Sequence, residues 1–562
     1  MQKILRYCAH PSDLNSRICA SVSLSMDCSG WKSRLQVACV LSIIISLPCP
    51  VTHGANILVV PIDGSHWINM RVLIEELRLH THNITVLHSS TSWYIKEEHD
   101  LYQSIVVELK GYKGVIEDTT AIQSLIQRSL AISKNGRTLW SFIQLEFELL
   151  LLWKAGNLWV NQFITILFEN KDLLNQLADA NFDLILADPA LCAGPMLAYH
   201  LNVPLVYNVR WIITGEVHFF AAPSPLSYIP VFNSHLTDKM SFPQRIQNVM
   251  QNLLGLSISE FLVYPVYNEL CHRYLGRDTD IRTVLLRADV WLMRVDFTFE
   301  FPRPIMPNFV YIGGFQCQPP KPLTAQLQDF VESSGKHGIV VMSLGTFVNS
   351  LSLDISMKIA EALAQIPQKV IWRHVGDIPP NIGNNTLLAK WIPQNDLLGH
   401  PKTRAFISHG GTNGVYEAIY HGVPVVGLPL FYDQFDNLVR LESRGAAKVV
   451  DVASLQSSDL LRALNEVINK TTYREKMQKL SALHRDQPES PMDRAVFWIE
   501  YTVRHKGAGH LRSEYYKLPW YVYYSVDVMI FLLCVSLTIT ILIVLILKKF
   551  CNIVLKRKEK VL

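Results

Sequence analysis

Two side chains capable of acid–base chemistry stand directly after apolar runs of the chain. His66 follows the run NILVVPI and the short turn DGS, and Asp188 ends the run FDLILAD. An imidazole can accept a proton near neutral pH, and a carboxylate on its second ring nitrogen orients the ring and stabilises its charged form. The pair is therefore a candidate general-base dyad. A lone histidine after a strand also fits a helix cap or a surface residue, so both interpretations remain open on the residues alone.

A candidate anion site lies in the stretch RAFISHGGTNGVYEAIYHG. His409, Gly410 and Gly411 stand between an apolar run and a helix-like segment. Glycine lets the backbone approach an anion closely, and the amides at a helix N-terminus then hold it. Asn413 can donate to the same group. The spacing matches neither G-x-G-x-x-G nor G-x-x-x-x-G-K-[ST], so it predicts a phosphate turn of another kind.

Residues around this turn can extend it into a nucleotide-sugar site. Trp391, after LLAK, can stack on a base whose edge Gln394 can reach, and Glu417, one turn into the helix, can accept from ribose hydroxyls. Asp433 and Gln434 end another apolar run and open a helix, where they can bind sugar hydroxyls. Taken singly, each of these residues also fits a purely structural role.

Two series of apolar runs alternate with helix-like segments, and they must position these side chains. The first series begins with NILVVPI, and the second begins with GIVVMSLGT near Gly338. Alternating strands and helices predict parallel sheets covered on both faces, with ligands beyond the carboxyl ends of the strands. We therefore expect an α/β protein with two doubly wound domains, residues 55–305 and 306–510, facing each other across a cleft. The join falls in the proline-rich segment FPRPIMPNFVYIGGFQCQPPKP.

The segment LWSFIQLEFELLLLWKAGNLWV, residues 139–160, is apolar on nearly all sides at helical length. It fits a buried helix, the wall of an apolar acceptor pocket or a membrane-facing patch.

The C-terminal region predicts a single membrane span. Val528–Leu547 contains no charge over twenty residues, enough for a helix to cross about 30 Å of hydrocarbon. Aromatic residues crowd the juxtamembrane segment 511–527, and lysine and arginine dominate the tail 548–562. The positive-inside rule places this tail in the cytosol and the body across the membrane.

The N-terminal region, residues 1–54, predicts an extension followed by a secretory signal that ends at Gly54. Basic residues precede the apolar run Leu35–Leu47, and small residues follow it. An uncleaved anchor is the alternative, and either Met1 or Met26 can be the start. Three N-x-[ST] sequons, at Asn83, Asn384 and Asn469, fit a lumenal glycoprotein. The terminal KEKVL resembles a dilysine retrieval signal, which predicts an endoplasmic-reticulum membrane protein of type I.

Composition and cysteines exclude several other classes. A net charge of +4 is too small to indicate nucleic-acid binding. Only three cysteines lie between the signal and the membrane span, too few for a disulfide scaffold. Asp278 and Asp280 form a D-x-D, the pattern of metal-dependent sugar transferases, but no apolar strand precedes them. A solvated turn or helix cap is the better interpretation, and no metal is expected.

The stretch from Trp391 to Gln434 resembles the donor-binding signature of UDP-glycosyltransferases. The flanking DGSHW, GGFQC, HGIVVMSLGT and AVFWIEYTVRHKGAGHLR, with the membrane tail, are similar to vertebrate UDP-glucuronosyltransferases from about Asn56 onward. The resemblance implies a GT-B fold with an N-terminal acceptor domain, a C-terminal donor domain, no metal and no prosthetic group.

The resemblance also implies roles for particular residues. His66 is implied to be the catalytic base and Asp188 its partner, with Trp391 and Gln394 on the uracil nucleoside. The remaining donor contacts are implied to be phosphate-binding His409, Gly410, Gly411, Asn413 and Thr346, the ribose acid Glu417, and the sugar-binding pair Asp433 and Gln434.

The implied activity is transfer of glucuronic acid from the co-substrate UDP-glucuronate to a small lipophilic acceptor, such as a phenol, steroid or xenobiotic. The implied product is a β-glucuronide, as in conjugation and detoxification. The same fold with UDP-glucose, UDP-galactose or UDP-N-acetylglucosamine is the alternative, followed by a non-catalytic lumenal binding protein. The acceptor's identity and the oligomeric state, homo- or hetero-oligomer included, remain open.

Overall fold

The computed structural model describes residues 54–97, 99–109, 119–136, 138–345 and 351–559. The predicted extension and signal, apart from Gly54, lie outside the described residues, and so does Thr346. The last lysine of the retrieval signal, Lys560, lies outside them too.

The first series of apolar runs forms a sheet of seven parallel strands in the order β3-β2-β1-β4-β5-β8-β9. The strands and the small antiparallel pair β6–β7 are β1 (Asn56–Val60), β2 (Asn83–Ser89), β3 (Gln103–Val107), β4 (Leu184–Ala187), β5 (Leu205–Val209), β6 (Trp211–Ile212), β7 (Gly215–Glu216), β8 (Val290–Met293) and β9 (Phe309–Tyr311). The helices of this half are α1 (Ser65–Leu79), α2 (Thr119–Lys134), α3 (Leu139–Glu169), α4 (Lys171–Asp179), α5 (Ala193–Leu201), α6 (Val217–Ala221), α7 (Phe242–Ile258), α8 (Tyr264–Tyr274) and α9 (Ile281–Leu286), with a π-helical turn, Ser259–Val263, between α7 and α8.

The second series forms a six-stranded parallel sheet in the order β12-β11-β10-β13-β14-β15. Its strands are β10 (Ile339–Ser343), β11 (Lys369–Arg373), β12 (Thr386–Ala389), β13 (Thr403–Ser408), β14 (Val425–Gly427) and β15 (Ala447–Val449). Its helices are α10 (Ala325–Glu332), α11 (Leu353–Ala364), α12 (Gln394–Leu398), α13 (Thr412–His421), α14 (Gln434–Ser443), α15 (Ser457–Asn469) and α16 (Thr471–Arg485). The predicted α/β class with two doubly wound sheets is confirmed.

Burial explains why these runs became parallel strands. The central strands β1, β4 and β5 of the first sheet and β10 of the second are buried along nearly their whole length. Helices on both faces exclude water, so continuous Val, Ile and Leu runs are favoured over alternating ones. Apolar clusters lie on both faces of each sheet.

One strand within the proline-rich join belongs to the first sheet, and one helix beyond the second sheet returns to it. Strand β9 lies past the predicted boundary at residue 305 yet pairs with β8. Helix α17 (Pro491–Arg504) buries Ala495, Val496 and Ile499 in the same apolar cluster as strands β1 and β8. The chain therefore passes from the first sheet to the second after β9 and returns to the first in α17.

The apolar segment at residues 139–160 lies in the 31-residue helix α3, which is not fully buried. Leu149, Leu150 and Trp153 line an apolar cavity of about 180 Å³. On other sides of the helix, Phe147 and Leu151 are exposed. Of the predicted alternatives, the wall of an apolar pocket fits this placement and a fully buried helix does not.

The final helices are α18 (Trp520–Tyr523) and α19 (Val526–Glu559). Two stretches of the described chain are long and apolar enough to cross a membrane, Phe242–Tyr274 and Val526–Lys556. The most apolar window of the second is entirely unburied, as a lipid-facing helix requires. It contains the predicted span Val528–Leu547. The sequon residues Asn83, Asn384 and Asn469 are all exposed.

Candidate active site

His66 and Asp188 meet at the carboxyl edge of the first sheet. Strands β1 and β4 are neighbours paired through Val60 and Ala187, so the residues that follow them emerge side by side. The Asp188 Oδ2 atom lies 2.6 Å from His66 Nδ1. The Ala190 amide donates to the other carboxylate oxygen at 3.1 Å, which fixes the carboxylate. This contact puts the Nδ1 proton between the two residues and the lone pair of the neutral ring on Nε2.

The turn before His66 is braced by a buried carboxylate. Asp63 accepts hydrogen bonds from the amides of Gly64, Trp93 and Tyr94. Gly64 adopts φ 77°, a left-handed conformation that glycine tolerates without a Cβ penalty. These bonds fix the start of α1, so His66, its second residue, is held rigidly over the cleft.

A buried arginine stands beside the dyad. Arg294 follows β8, and its Nη2 atom lies 3.4 Å from His66 Nδ1. Burial lowers the pKa of Arg294 to about 10, and the nearby Asp188 carboxylate opposes that shift. The guanidinium therefore stays charged at neutral pH. Since Nδ1 donates to Asp188, the arginine acts on the dyad through its charge rather than through a hydrogen bond to the ring.

The predicted phosphate turn lies at the carboxyl end of β13, in the second sheet. Gly410 adopts φ 90°, and its amide donates to Ser408 Oγ at 3.1 Å. Gly411 precedes α13, so the first amides of that helix face the cleft as an anion site. The His409 ring packs so closely on Gly411 that a Cβ there would collide with its Nε2 atom.

His409 presents a neutral ring to the cleft. Burial lowers the pKa of His409 to about 4, although Asp433 opposes the shift. Its Nδ1 atom has no hydrogen-bond partner among the described residues. A neutral imidazole keeps one ring N–H, which can donate one hydrogen bond to a phosphate oxygen beside the helix N-terminus.

The predicted base-stacking residue presents an open ring. Trp391 is 63% exposed and lines the cleft. The Arg373 guanidinium lies 5.6 Å from its ring centroid, a cation–π distance. One side of the indole is thus held by the arginine, which leaves the other for a base.

Gln394 and Glu417 form a single unit. The Gln394 Nε2 atom donates to Glu417 Oε2 at 2.6 Å. Burial raises the pKa of Glu417 to about 7, which this hydrogen bond partly offsets. The bond leaves the amide oxygen of Gln394 and the second carboxylate oxygen of Glu417 for a nucleoside.

Asp433 and Gln434 play different parts at the start of α14. The Asp433 carboxylate accepts from Thr412 Oγ1 at 3.2 Å and from Asn437 Nδ2 at 2.8 Å. Gln434 is buried, and its side-chain oxygen accepts from the amides of Leu430 and Phe431. Gln434 therefore braces the turn before α14, and only its amide nitrogen remains for a ligand.

Both sets of residues line one cleft. A cavity of about 460 Å³ is lined by His66 of the first half and by all the described candidate donor residues except Gly410. Asn69, one turn along α1 from His66, donates to Asn413 Oδ1 at 3.1 Å across the cleft. His66 of the candidate dyad and the predicted phosphate turn thus line one space.

The arginines of this cleft were not predicted from the sequence. Arg210, Arg294 and Arg373 each end or follow a strand, as Asp188 and His409 do, and all three line the cavity. The sequence feature that could have indicated them is their position at the ends of apolar runs, because ligands bind beyond the carboxyl ends of parallel strands. Arg210 contacts Glu300 at 3.1 Å and Asn437 at 2.9 Å, linking the first sheet to α14.

The D-x-D motif belongs to a helix cap. Asp280 precedes α9 and accepts from the Thr283 amide at 2.8 Å. Neither Asp278 nor Asp280 lines the cleft. The described ranges contain no cluster of three or more His, Cys, Asp or Glu that could hold a metal ion.

Comparison with known proteins shows the family of this chain. The family model described as "UDP-glucoronosyl and UDP-glucosyl transferase" matches residues 55–561. The chain belongs to this family.

Relatives within the family align over most of their length. The chain is 43% identical to UDP-glucuronosyltransferase 2A2 of Mus musculus over 496 residues, 86% of this chain and 92% of that protein. It is 44% identical to UDP-glucuronosyltransferase 2C1 of Oryctolagus cuniculus over 505 residues, 89% of this chain and 99% of that protein.

A solved structure shares the architecture. The calicheamicin glycosyltransferase CalG4 superposes with a TM-score of 0.53 and 19% identity, covering 81% of this chain and 100% of that one. At this identity the likeness concerns the fold alone. The predicted GT-B fold of a family glycosyltransferase is thereby confirmed.

Proposed function

We propose that this protein transfers glucuronic acid from UDP-glucuronate to a hydroxyl of a small lipophilic acceptor, giving a β-glucuronide and UDP. The observation that carries the proposal is the dyad of His66 and Asp188, joined at 2.6 Å and facing the phosphate turn across one cleft. The relatives named above are glucuronosyltransferases, which favours glucuronate over the alternative UDP-sugars.

The donor is held along the second sheet. Uracil stacks on Trp391 and is read by Gln394, while the ribose hydroxyls donate to Glu417. The diphosphate meets His409, Asn413 and the α13 amides, and Thr346, outside the described residues, is proposed to join them. Asp433 and the amide of Gln434 bind the sugar hydroxyls. No prosthetic group is needed, since every step uses these side chains and the co-substrate.

Transfer proceeds by displacement with inversion. His66 Nε2 accepts the proton of the acceptor hydroxyl as its oxygen forms a bond to C1 of the sugar. The C1–oxygen bond to the β-phosphate breaks, and UDP leaves with its charge stabilised by the α13 amides. Asp188 stabilises the imidazolium that results. A phenol has a pKa near about 10, so base assistance matters at neutral pH.

The side chains around the cleft favour one class of acceptor, and the C-terminal helix and tail favour one cellular location. Aromatic side chains that line the cleft itself, Trp211, Phe431 and Tyr432, favour lipophilic acceptors. Helix α19 and the basic tail favour a type I protein of the endoplasmic-reticulum membrane, with the catalytic body in the lumen.

The test is activity of His66→Ala in detergent-solubilised membranes with UDP-glucuronate and a phenol. We expect kcat to fall roughly 10²- to 10⁴-fold, as for loss of a general base, with UDP binding retained. UDP-glucose and UDP-galactose run in parallel decide the donor. Unchanged turnover by His66→Ala would contradict the mechanism, and turnover with UDP-glucose alone would contradict the choice of donor.

A further inference from the structure

The donor cleft and the apolar cavity are separate spaces that share one described lining residue. The cleft is lined by residues that include His66, Trp211 and Tyr432, and the apolar cavity by residues that include Phe232 and Tyr432. Tyr432 is the described residue common to both. Its side chain therefore belongs to the partition between them.

Three aromatic rings form this partition. Tyr432 contacts Trp211 and Phe232 at ring-centroid distances of 4.9 and 4.7 Å, and Trp211 contacts Phe232 at 4.6 Å. All three contacts are edge-to-face, a favourable geometry for aromatic pairs. Trp211 and Phe232 come from the acceptor half, whereas Tyr432 comes from the turn before α14. The cluster therefore lies between the two halves.

The backbone of the partition is strained. Tyr432 adopts φ 58°, in the left-handed region that a bulky residue rarely enters. Asn233 and His235, at φ 62° and 55°, flank the same cluster. Such strain gathers at ligand clamps, where the surroundings hold it in place.

Hydrogen bonds across the two halves hold these conformations. The Asp436 carboxylate accepts from the amides of Asn233 and His235 at 2.6 and 3.0 Å. Gln434 ties the amides on the N-terminal side of Tyr432, as described above. A glycine at position 432 would adopt this backbone without strain, whereas a tyrosine there destabilises the folded chain. Folding alone therefore does not explain the tyrosine ring at this position.

We propose that Tyr432 sets acceptor length: its ring closes the apolar cavity off from the cleft, and removal of the ring would open the cavity to the aryl or alkyl tail of a phenolic acceptor. The inference rests on the proposed function, because it assumes that the acceptor hydroxyl is at His66. With the ring in place, short phenols fit within the cleft. Without the ring, the cleft and the cavity join, and a longer tail gains apolar contacts behind the former partition.

The test compares Tyr432→Gly and Tyr432→Phe with the unmodified full-length chain in detergent. Glycine suits the φ of this turn, and phenylalanine keeps the ring while it removes the hydroxyl. Acceptors are phenol, 4-propylphenol and 4-hexylphenol, each with UDP-glucuronate. We expect Tyr432→Gly to raise the ratio of kcat/KM for 4-hexylphenol over phenol at least tenfold, and Tyr432→Phe to keep the ratio of the unmodified chain.

A matched control separates the ring from the backbone. Lys506 is exposed, adopts φ 53° and lies outside both cavities. Lys506→Gly relieves a similar backbone conformation, and we expect its activity and acceptor ratio to be unchanged. An equal change in Lys506→Gly and Tyr432→Gly would overturn the inference.

A measurement of acceptor binding tests the inference without relying on turnover. The affinity of 4-hexylphenol, measured by calorimetry in saturating UDP, is expected to rise in Tyr432→Gly, while that of phenol does not. If no form of the protein turns over phenol but this binding difference appears, the proposed function is wrong and the partition stands. If binding and the kcat/KM ratio both match the unmodified chain, the partition is wrong.

Discussion

At the scale of single residues, the hydrogen bond between His66 and Asp188 decides which nitrogen accepts a proton. Asp188 Oδ2 lies on Nδ1, so Nε2 carries the lone pair toward the cleft. An asparagine at position 188 can donate its own N–H to Nδ1, which would hold the proton on Nε2 and block base catalysis. The charge that stabilises the imidazolium would also be lost.

We therefore predict that Asp188→Asn lowers kcat by roughly 10²- to 10⁴-fold. The donor residues lie on the other half of the cleft, so UDP affinity should not change. Steady-state kinetics with a phenol and calorimetry with UDP measure the two quantities. A parallel loss of UDP affinity would show that the substitution disturbs the cleft as a whole, contrary to this prediction.

The raised pKa of Glu417 leads us to predict that nucleoside binding depends on pH. Its pKa is raised to about 7 by burial, so in the free protein the carboxyl is largely protonated below that pH. Ribose hydroxyls donate to the ionised form, which lowers the pKa in the complex. Binding then releases a proton below pH 7, and affinity must rise as pH increases toward about 7 and level off above it.

Calorimetry with uridine tests this, because uridine has no phosphate to titrate in the range. Between pH 5.5 and 8 we expect affinity to rise, and the heat near pH 6 to depend on the ionisation enthalpy of the buffer. Glu417→Gln should abolish both effects. Affinity that is flat with pH in the unmodified protein would rule out a proton released from Glu417.

At the scale of elements, the turn from β13 into α13 joins a strand end to an anion site. Gly411 has φ −63°, which any residue adopts, so its backbone does not require glycine. The requirement is space, since a Cβ at this position would meet His409 Nε2. An added methyl group must therefore push the imidazole from its place over the phosphate position.

We predict that Gly411→Ala weakens UDP affinity by about tenfold or more, because a charge-assisted hydrogen bond contributes about 1.5–3 kcal/mol. Gly156→Ala is the matched control. Gly156 lies within α3, and a methyl group added there would meet no atom of another element within 4 Å. This change should therefore leave UDP affinity intact and slightly favour the helix. Equal UDP affinity in the two variants would contradict the steric argument.

The elements themselves were largely predictable from local pattern. Apolar runs such as NILVV and IVVMS became buried strands, and the glycines after His409 correctly marked the start of α13. The His66–Asp188 pair was predictable because both residues follow apolar runs, but most other contacts between distant segments were not. The Tyr432 cluster unites residues from positions 211, 232 and 432, and Arg294 approaches His66 across 228 positions. Hydrophobic periodicity indicates which face of a helix or strand is buried, but not which other element packs against that face. These contacts are therefore seen only in the structure.

At the scale of the whole molecule, the C-terminal segment ties both halves and the membrane helix together. Helix α17 leaves the second sheet and packs on the first, where Ile499 and Ala508 are fully buried. The Ala508 amide donates to Asp289 at 2.9 Å, and Tyr515 and Tyr516 pack on the first core. The chain is thus fixed to the body as far as Tyr516.

This arrangement predicts where the chain can be cut. A protein ending at Leu518 loses α18 and α19 but keeps these contacts, so we expect it to fold, to bind UDP and to be released by alkaline carbonate. A protein ending at Asp486 also loses α17. It uncovers the apolar face under Val496 and Ile499, so we expect a lower unfolding temperature or aggregation. If the chain ending at Leu518 stays with the membrane after carbonate, a second membrane contact exists, either an uncleaved N-terminal anchor or a segment of the body. The candidate within the body is Phe242–Tyr274, the other described stretch long and apolar enough to span.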